Sequence, residues 1–193
     1  MKKLLAIIVL SLCFITPSQA DDIRDFQVEG MSVGDSFLNY MTKREIKSSK
    51  RNYVKNKRYY VVGYGKGLDV FESVDVYLKT GDKNYIIKSI SGTIFLNFKD
   101  CTIKKKEVVR DIQNLFPNTT PTHGKSGHSF DKSGKSIVDQ TGFLLKNNDP
   151  NDDHIRVECI DWSKKFEKKR WKDNISVTAY SKEVLQWFLD GYN

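Results

Sequence analysis

Residues 70–98 read VFESVDVYLKTGDKNYIIKSISGTIFLNF, and this stretch decides the fold class. Val70, Glu72, Val74, Val76 and Leu78 alternate with Phe71, Asp75 and Tyr77, the two-residue period of a strand. Gly81-Asp82-Lys83 is a hairpin signal, and Tyr85 to Phe98 supplies a second long strand with a bulge expected at Gly92. Upstream, Tyr59-Tyr60-Val61-Val62 reads as another strand, broken by Gly63, Gly65 and Gly67. Consecutive strands joined this closely form an antiparallel meander.

Toward the C-terminus the period changes. Val108, Val109, Ile112, Leu115 and Phe116 share one helical face, with Asp100 expected as the cap, Cys101 turned inward and Pro117 as the stop. Thr119 to Lys135 reads as a Gly/Ser/Thr loop. Ile137–Leu145 and His154–Ile160 form a hairpin around Asn147-Asn148-Asp149-Pro150. Ser163 to Trp171 is a short basic helix or turn, Ile175 to Tyr180 a strand, and Ser181 the cap of a last helix with Val184, Leu185, Trp187 and Phe188.

On the other side, Asp21 to Glu29 reads as an extended lead-in. Ser32 or Asp35 is expected to cap a helix carrying Phe37, Leu38 and Met41. The order helix, three strands, helix, three strands, helix predicts an α+β fold. An antiparallel sheet packs with two or three helices, in the order of a tandem helix-plus-meander duplication.

Residues 1–20 read as a secretory signal peptide. Lys2 and Lys3 precede an apolar run from Leu4 to Ile15 that is too short to span a bilayer. Thr16-Pro17 breaks it, and Ser18-Gln19-Ala20 offers the small residues of a cleavage site before Asp21. A lipoprotein signal at Cys13 is excluded by the bulk of Leu12 and the apolar Phe14-Ile15 that follow. The expected product is one α+β domain over residues 21–193, periplasmic or secreted, without a transmembrane segment in the mature chain.

Past the leader stand two cysteines, Cys101 and Cys159. In an exported chain an even count favours one disulfide, and closing about 58 residues would stabilise the fold by roughly 4 kcal/mol. Two buried free thiols are the alternative, and no Cys-x-x-Cys motif supports a redox role.

The formal net charge is +8, and its distribution is more informative than its size. Lys43, Arg44, Lys47, Lys50, Arg51, Lys55, Lys57 and Arg58 face only Glu45, while Lys164, Lys165, Lys168, Lys169, Arg170 and Lys172 face only Glu167. Tyr53, Tyr59 and Tyr60 lie among the first set. In the cytoplasm that mixture would suggest nucleic acid, but export turns the expectation to anionic lipid, polysaccharide or an envelope protein. The binding candidates are Lys50, Arg51, Lys55, Lys57, Arg58, Lys168, Lys169 and Arg170. A solvated charged face is the plainer reading of the same residues.

Motifs for chemistry are thin. Gly134-Lys135-Ser136 lacks the earlier glycine of a phosphate-binding loop, since Ser129 stands there. His123, His128 and His154 fit no zinc spacing; only their convergence would make a metal site or an exported hydrolase. No serine lies in a Gly-x-Ser-x-Gly elbow. The expectation is a non-catalytic binding or interaction protein without a cofactor, with a hydrolase as the alternative.

Two resemblances add to this. Val28-Glu29-Gly30-Met31-Ser32-Val33-Gly34-Asp35-Ser36, Lys88-Ser89-Ile90-Ser91-Gly92, Asp100-Cys101, Asp131-Lys132-Ser133-Gly134-Lys135-Ser136 and Cys159-Ile160-Asp161-Trp162-Ser163 resemble small uncharacterised exported proteins of marine alphaproteobacteria. That likeness implies export and no particular activity. Gly30-Met31-Ser32 is also similar to the helix start of small outer-membrane-assembly lipoproteins and β-lactamase-inhibitor-like folds, which implies a protein inhibitor as a further alternative. The chain lacks the lipidated Cys of the lipoproteins.

Overall fold

Val74, Val76 and Leu78 are fully buried, while Ser73, Asp75 and Tyr77 between them are half-buried, so the alternation that opens the sequence becomes a strand with two faces. The structure is a computed structural model describing residues 22–52, 56–145 and 152–191. The expected leader and its cleavage point, Lys55 and the Asn147–Pro150 turn lie outside the described residues.

Ten strands and four α-helices are described. The strands are β1 (Gln27–Val28), β2 (Met31–Ser32), β3 (Lys50–Arg51), β4 (Tyr59–Tyr64) and β5 (Ser73–Lys79). They continue with β6 (Ile87–Phe95), β7 (Thr122–Gly127), β8 (Ile137–Leu144), β9 (His154–Asp161) and β10 (Asn174–Tyr180). The helices are α1 (Lys43–Ser48), α2 (Phe98–Leu115), α3 (Lys164–Glu167) and α4 (Lys182–Gly191).

The main sheet has the order β3-β4-β5-β6-β10-β9-β8-β7, and every pairing in it is antiparallel. A helix followed by four strands therefore occurs twice, with α3 inserted before the last strand of the second run. The last strands of the two runs, β6 and β10, pair at the centre from Phe95↔Asn174 to Ser89↔Tyr180. The α+β fold and its antiparallel sheet are as expected, with one addition. Each run has a fourth strand, and both extra strands are sheet edges, β3 and β7. The segment read as a loop from Thr119 contains β7.

One sheet face carries the main core. Val62, Val76, Ile90, Val157, Cys159, Ile175 and Val177 meet α2 and the N-terminal segment, with Phe26, Met31, Phe37 and Ile46 among its buried residues. On the other face Tyr59 and Trp187 of α4 form a smaller cluster. Tyr77, Tyr180 and Phe188 pack against it, and the same face also carries polar pairs, with Ser91 Oγ and Thr178 Oγ1 2.7 Å apart. The Cys101 and Cys159 sulfurs lie 1.99 Å apart, at disulfide distance, joining the first turn of α2 to β9.

Several local expectations are corrected. Asn97, not Asp100, caps α2, its side chain accepting the Asp100 N–H. Gly92 is not a bulge: it stays in register with Val74 and Val177, and the irregularity falls at Tyr77/Leu78. A Cβ on Gly92 would lie 2.6 Å from the Phe71 ring, so glycine here makes room for an aromatic. Neither Ser32 nor Asp35 starts the first helix. Met31–Ser32 is β2, Phe37–Asn39 is a 3-10 turn, and Thr42 with Glu45 forms a capping box at α1. At α4 the Ser181 hydroxyl makes no hydrogen bond, and the Asp153 carboxylate accepts the Lys182 N–H instead.

Candidate functional site

The connection from β9 to β10 builds an aromatic corner. Trp162 is buried, with ring-centroid distances of 4.3 Å to His128, 5.3 Å to Phe166 and 4.5 Å to Trp171. Phe130 lies edge-on to Trp171 at 6.3 Å. The outer rings reach solvent, Trp171 at 40% and Phe130 at 41% exposure. Trp162 and Trp171 each have a local reason for their place. The Trp162 N–H donates to the Asp173 carboxylate at 2.7 Å, closing the ends of the connection together. Arg170 adopts a left-handed backbone, φ 70°, just before Trp171. For a residue with a Cβ that conformation is strained, and the ring packing it permits offsets the cost.

The loop after β7 is locked to this corner by Asp131. Its carboxylate accepts the Ser133 N–H and hydroxyl, the Ser136 N–H and hydroxyl, and the Ser163 hydroxyl at 2.6–3.0 Å. The Ser133 and Ser136 bonds, outweighing the upward pull of burial, hold this carboxyl far below the usual aspartate range. The Gly134-Lys135-Ser136 segment is thus a turn closed on Asp131, whose main-chain carbonyl accepts the Gly134 N–H and whose carboxylate accepts the Ser136 N–H. Lys132 and Lys135 remain on the outside, both exposed.

Two hollows flank α3, and Glu167 lines both. One, of about 480 Å³, is lined by Lys135, Lys164 and Lys165 with Trp162, Asp161 and Ser163. The other, of about 350 Å³, is lined by Trp171, Phe95, Lys172 and Asp173. Burial, with Asp173 and Glu167 nearby, pushes the Asp161 carboxyl upward. Lys169 lies 5.6 Å from the Phe166 ring and Lys172 5.1 Å from Phe95. Cations and exposed rings therefore share one surface, with acidic groups between them.

The first basic cluster lies elsewhere. Tyr59, just after Lys57 and Arg58, pairs with Lys79, and the neighbouring Tyr77 pairs with Ser89, which faces Tyr180. The aromatic corner follows Asp161 and precedes Asn174, at the opposite end of β10, about 20 Å along a seven-residue strand. Lys50 covers the Tyr60 ring at 4.3 Å, Arg58 lies over Tyr59 at 5.6 Å, and Arg51 pairs with Asp75. Lys168, Lys169 and Arg170 are brought to the corner; Lys50, Arg51, Lys57 and Arg58 are not.

The histidines do not converge. The His123 Nδ1 lies 2.9 Å from the Thr141 hydroxyl, and their register with Val157 puts His123 on the α2 face. His154 is in register with Tyr180 on the opposite face. His128 lies beyond the end of β7, against Trp162. Among the described residues no group of three or more His, Cys, Asp or Glu is placed to hold a metal ion. The hydrolase and metal readings needed that convergence.

Sequence reading missed the rings. Trp162, Phe166 and Trp171 lie within or beside the second basic cluster in sequence, and that proximity was the available signal; Phe130, 34 residues before Lys164, had none. No helix among the described residues is long and apolar enough to cross a membrane. The chain matches no protein-family model, no curated protein and no solved structure.

Proposed function

We propose that this is an exported, non-catalytic binding protein that holds an anionic polysaccharide at the α3 corner. The observation that carries the reading is the pair of exposed rings, Trp171 and Phe130, backed by buried Trp162, which lines a hollow with Lys135, Lys164 and Lys165, while Lys168, Lys169 and Arg170 lead directly into Trp171. Sugar rings stack their C–H faces on aromatic side chains, and lysines pair with carboxylate or sulfate substituents. Asp161, Glu167 and Asp173 supply acceptors for sugar hydroxyls. Exposed ring faces suit the stacking of a sugar ring, which an acyclic lipid headgroup does not offer, and this favours glycan over lipid. Export is supported by the signal-like residues 1–20 and by the sulfurs of Cys101 and Cys159 at disulfide distance.

The test is retention of the mature protein on immobilised polygalacturonate, with neutral dextran and phosphatidylglycerol vesicles in parallel. Polygalacturonate should retain it, less at higher salt, and Trp171→Ala should abolish retention. Charge reversal at Lys57 and Arg58 should leave it unchanged. Equal retention on dextran, or retention on vesicles alone, would overturn the proposal.

A further inference from the structure

A separate cavity of about 230 Å³ opens between α2, the main sheet face and the chain before β5. Apart from Lys104 and Asp111, every lining residue is apolar. Ile94, Ile175 and Val177 make its floor, Val108 and Leu115 its helical wall, and Phe71 belongs to the opposing loop. Val70 and Leu115 are 65% and 39% exposed.

Interiors pack closely, and an open hollow of this size leaves its apolar lining without partner atoms across the gap. Collapse of the 69–71 loop would close it, but that loop is held from outside. The Glu29 carboxylate accepts the N–H groups of Asp69, Val70 and Phe71 at 2.8–2.9 Å. Glu29 reaches them from a left-handed backbone, φ 53°. The Phe71 ring is seated over Gly92, where no side chain stands in its way. Strained backbone, a three-fold clamp and an accommodating glycine together keep the hollow open.

From this geometry we infer that the cavity is a binding site for a short unbranched acyl chain carrying a terminal carboxylate. The chain lies along Val108, Ile94 and Val177, and the carboxylate faces Lys104 at the rim. The volume exceeds that of cavities which take up benzene and is below that of drug-sized pockets. One alkyl chain suits it. Lys104 is exposed and lies 3.0 Å from Glu107 within the same helix, a surface pairing weak enough to exchange for a ligand carboxylate. Asp111 shares the rim, and its carboxylate lies 3.6 Å from the Arg110 guanidinium beside it.

The experiment titrates the mature protein with octanoate, octan-1-ol and octylamine, read by calorimetry and by thermal midpoint. Octanoate is expected to bind and raise the midpoint, octanol to bind more weakly, and octylamine least. Val108→Phe should fill the hollow and weaken octanoate at least tenfold while keeping the native circular dichroism. Leu115→Trp, at the exposed rim, serves the same purpose should Val108→Phe not fold. Lys104→Ala should weaken octanoate but not octanol. Absence of binding by all three probes, unchanged octanoate affinity in a folded cavity-filled variant, or binding only of phosphatidylglycerol vesicles overturns the inference.

Discussion

The Asp131 carboxylate accepts the Ser163 hydroxyl at 2.8 Å, tying the loop after β7 to the residue that starts α3. Because Ser133 and Ser136 converge on the same group, Asp131→Asn keeps the shape but loses the charge that all these donors share. The variant should have a lower urea midpoint at pH 7 and weaker polygalacturonate retention. The sign in pH follows from the depressed folded-state value. The stabilisation is complete above the ordinary aspartate range and is lost as pH falls below about 4 toward the folded-state value. The gap between wild type and variant should therefore narrow below pH 4; a gap constant down to pH 2 would contradict the clamp.

His154 titrates in a different window. Its ring lies against Gly142 and 6.4 Å from the Tyr180 ring, and neither ring nitrogen has a hydrogen-bond partner. Burial, with Arg156 adding repulsion, pulls it down to about 4. Between about pH 6.5 and 4 the unfolded chain binds the proton and the folded chain does not, so stability falls as pH falls through that range. The loss should reach about 3 kcal/mol at most, and His154→Phe should remove that part of the slope. Urea unfolding at pH 4.5, 5.5 and 7 measures it. An equal slope in both proteins would assign the loss to other groups.

Gly92→Ala should be destabilising by about 1–3 kcal/mol, because its methyl meets the Phe71 ring in a packed site. Paired with Phe71→Ala, the glycine substitution should become nearly neutral, giving a coupling of the same size in a double-mutant cycle. Additive effects would show that Gly92 is needed for some reason other than this ring.

What was legible in the sequence follows one physical line. Strands buried on a face, such as β5 with Val74, Val76 and Leu78, record that burial as alternation. The edge strand β7 reads Thr-His-Gly-Lys-Ser-Gly and is largely exposed, so no apolar period marks it and composition suggests a loop. The same holds for β3, Lys50–Arg51, exposed at both positions. Caps supplied from elsewhere are equally hidden: Asp153 serves α4 across 29 residues. The candidate site was half legible. Its lysines are visible as a charge run, but the edge-on contact of Phe130 with Trp171 depends on a loop position set by Asp131, which no local pattern encodes.

Reduction of the Cys101–Cys159 pair should lower stability by roughly 4 kcal/mol, on the entropy of closing a loop of this length. Both residues are fully buried, and both belong to the second helix-plus-four-strand run. The loss should be uneven for that reason. The crosslink fixes α2 against β9, and β8 pairs with β9 along its whole length. The first run has β4 and β5 packed by Val62, Val74 and Val76 without a crosslink of its own. Native-state hydrogen exchange of a Cys101→Ser/Cys159→Ser variant should show the larger drop in protection in α2, β8 and β9, with β4 and β5 less affected. An equal drop throughout would mean that the two runs unfold as one unit, and that the central β6–β10 pairing couples them more tightly than the crosslink distinguishes them.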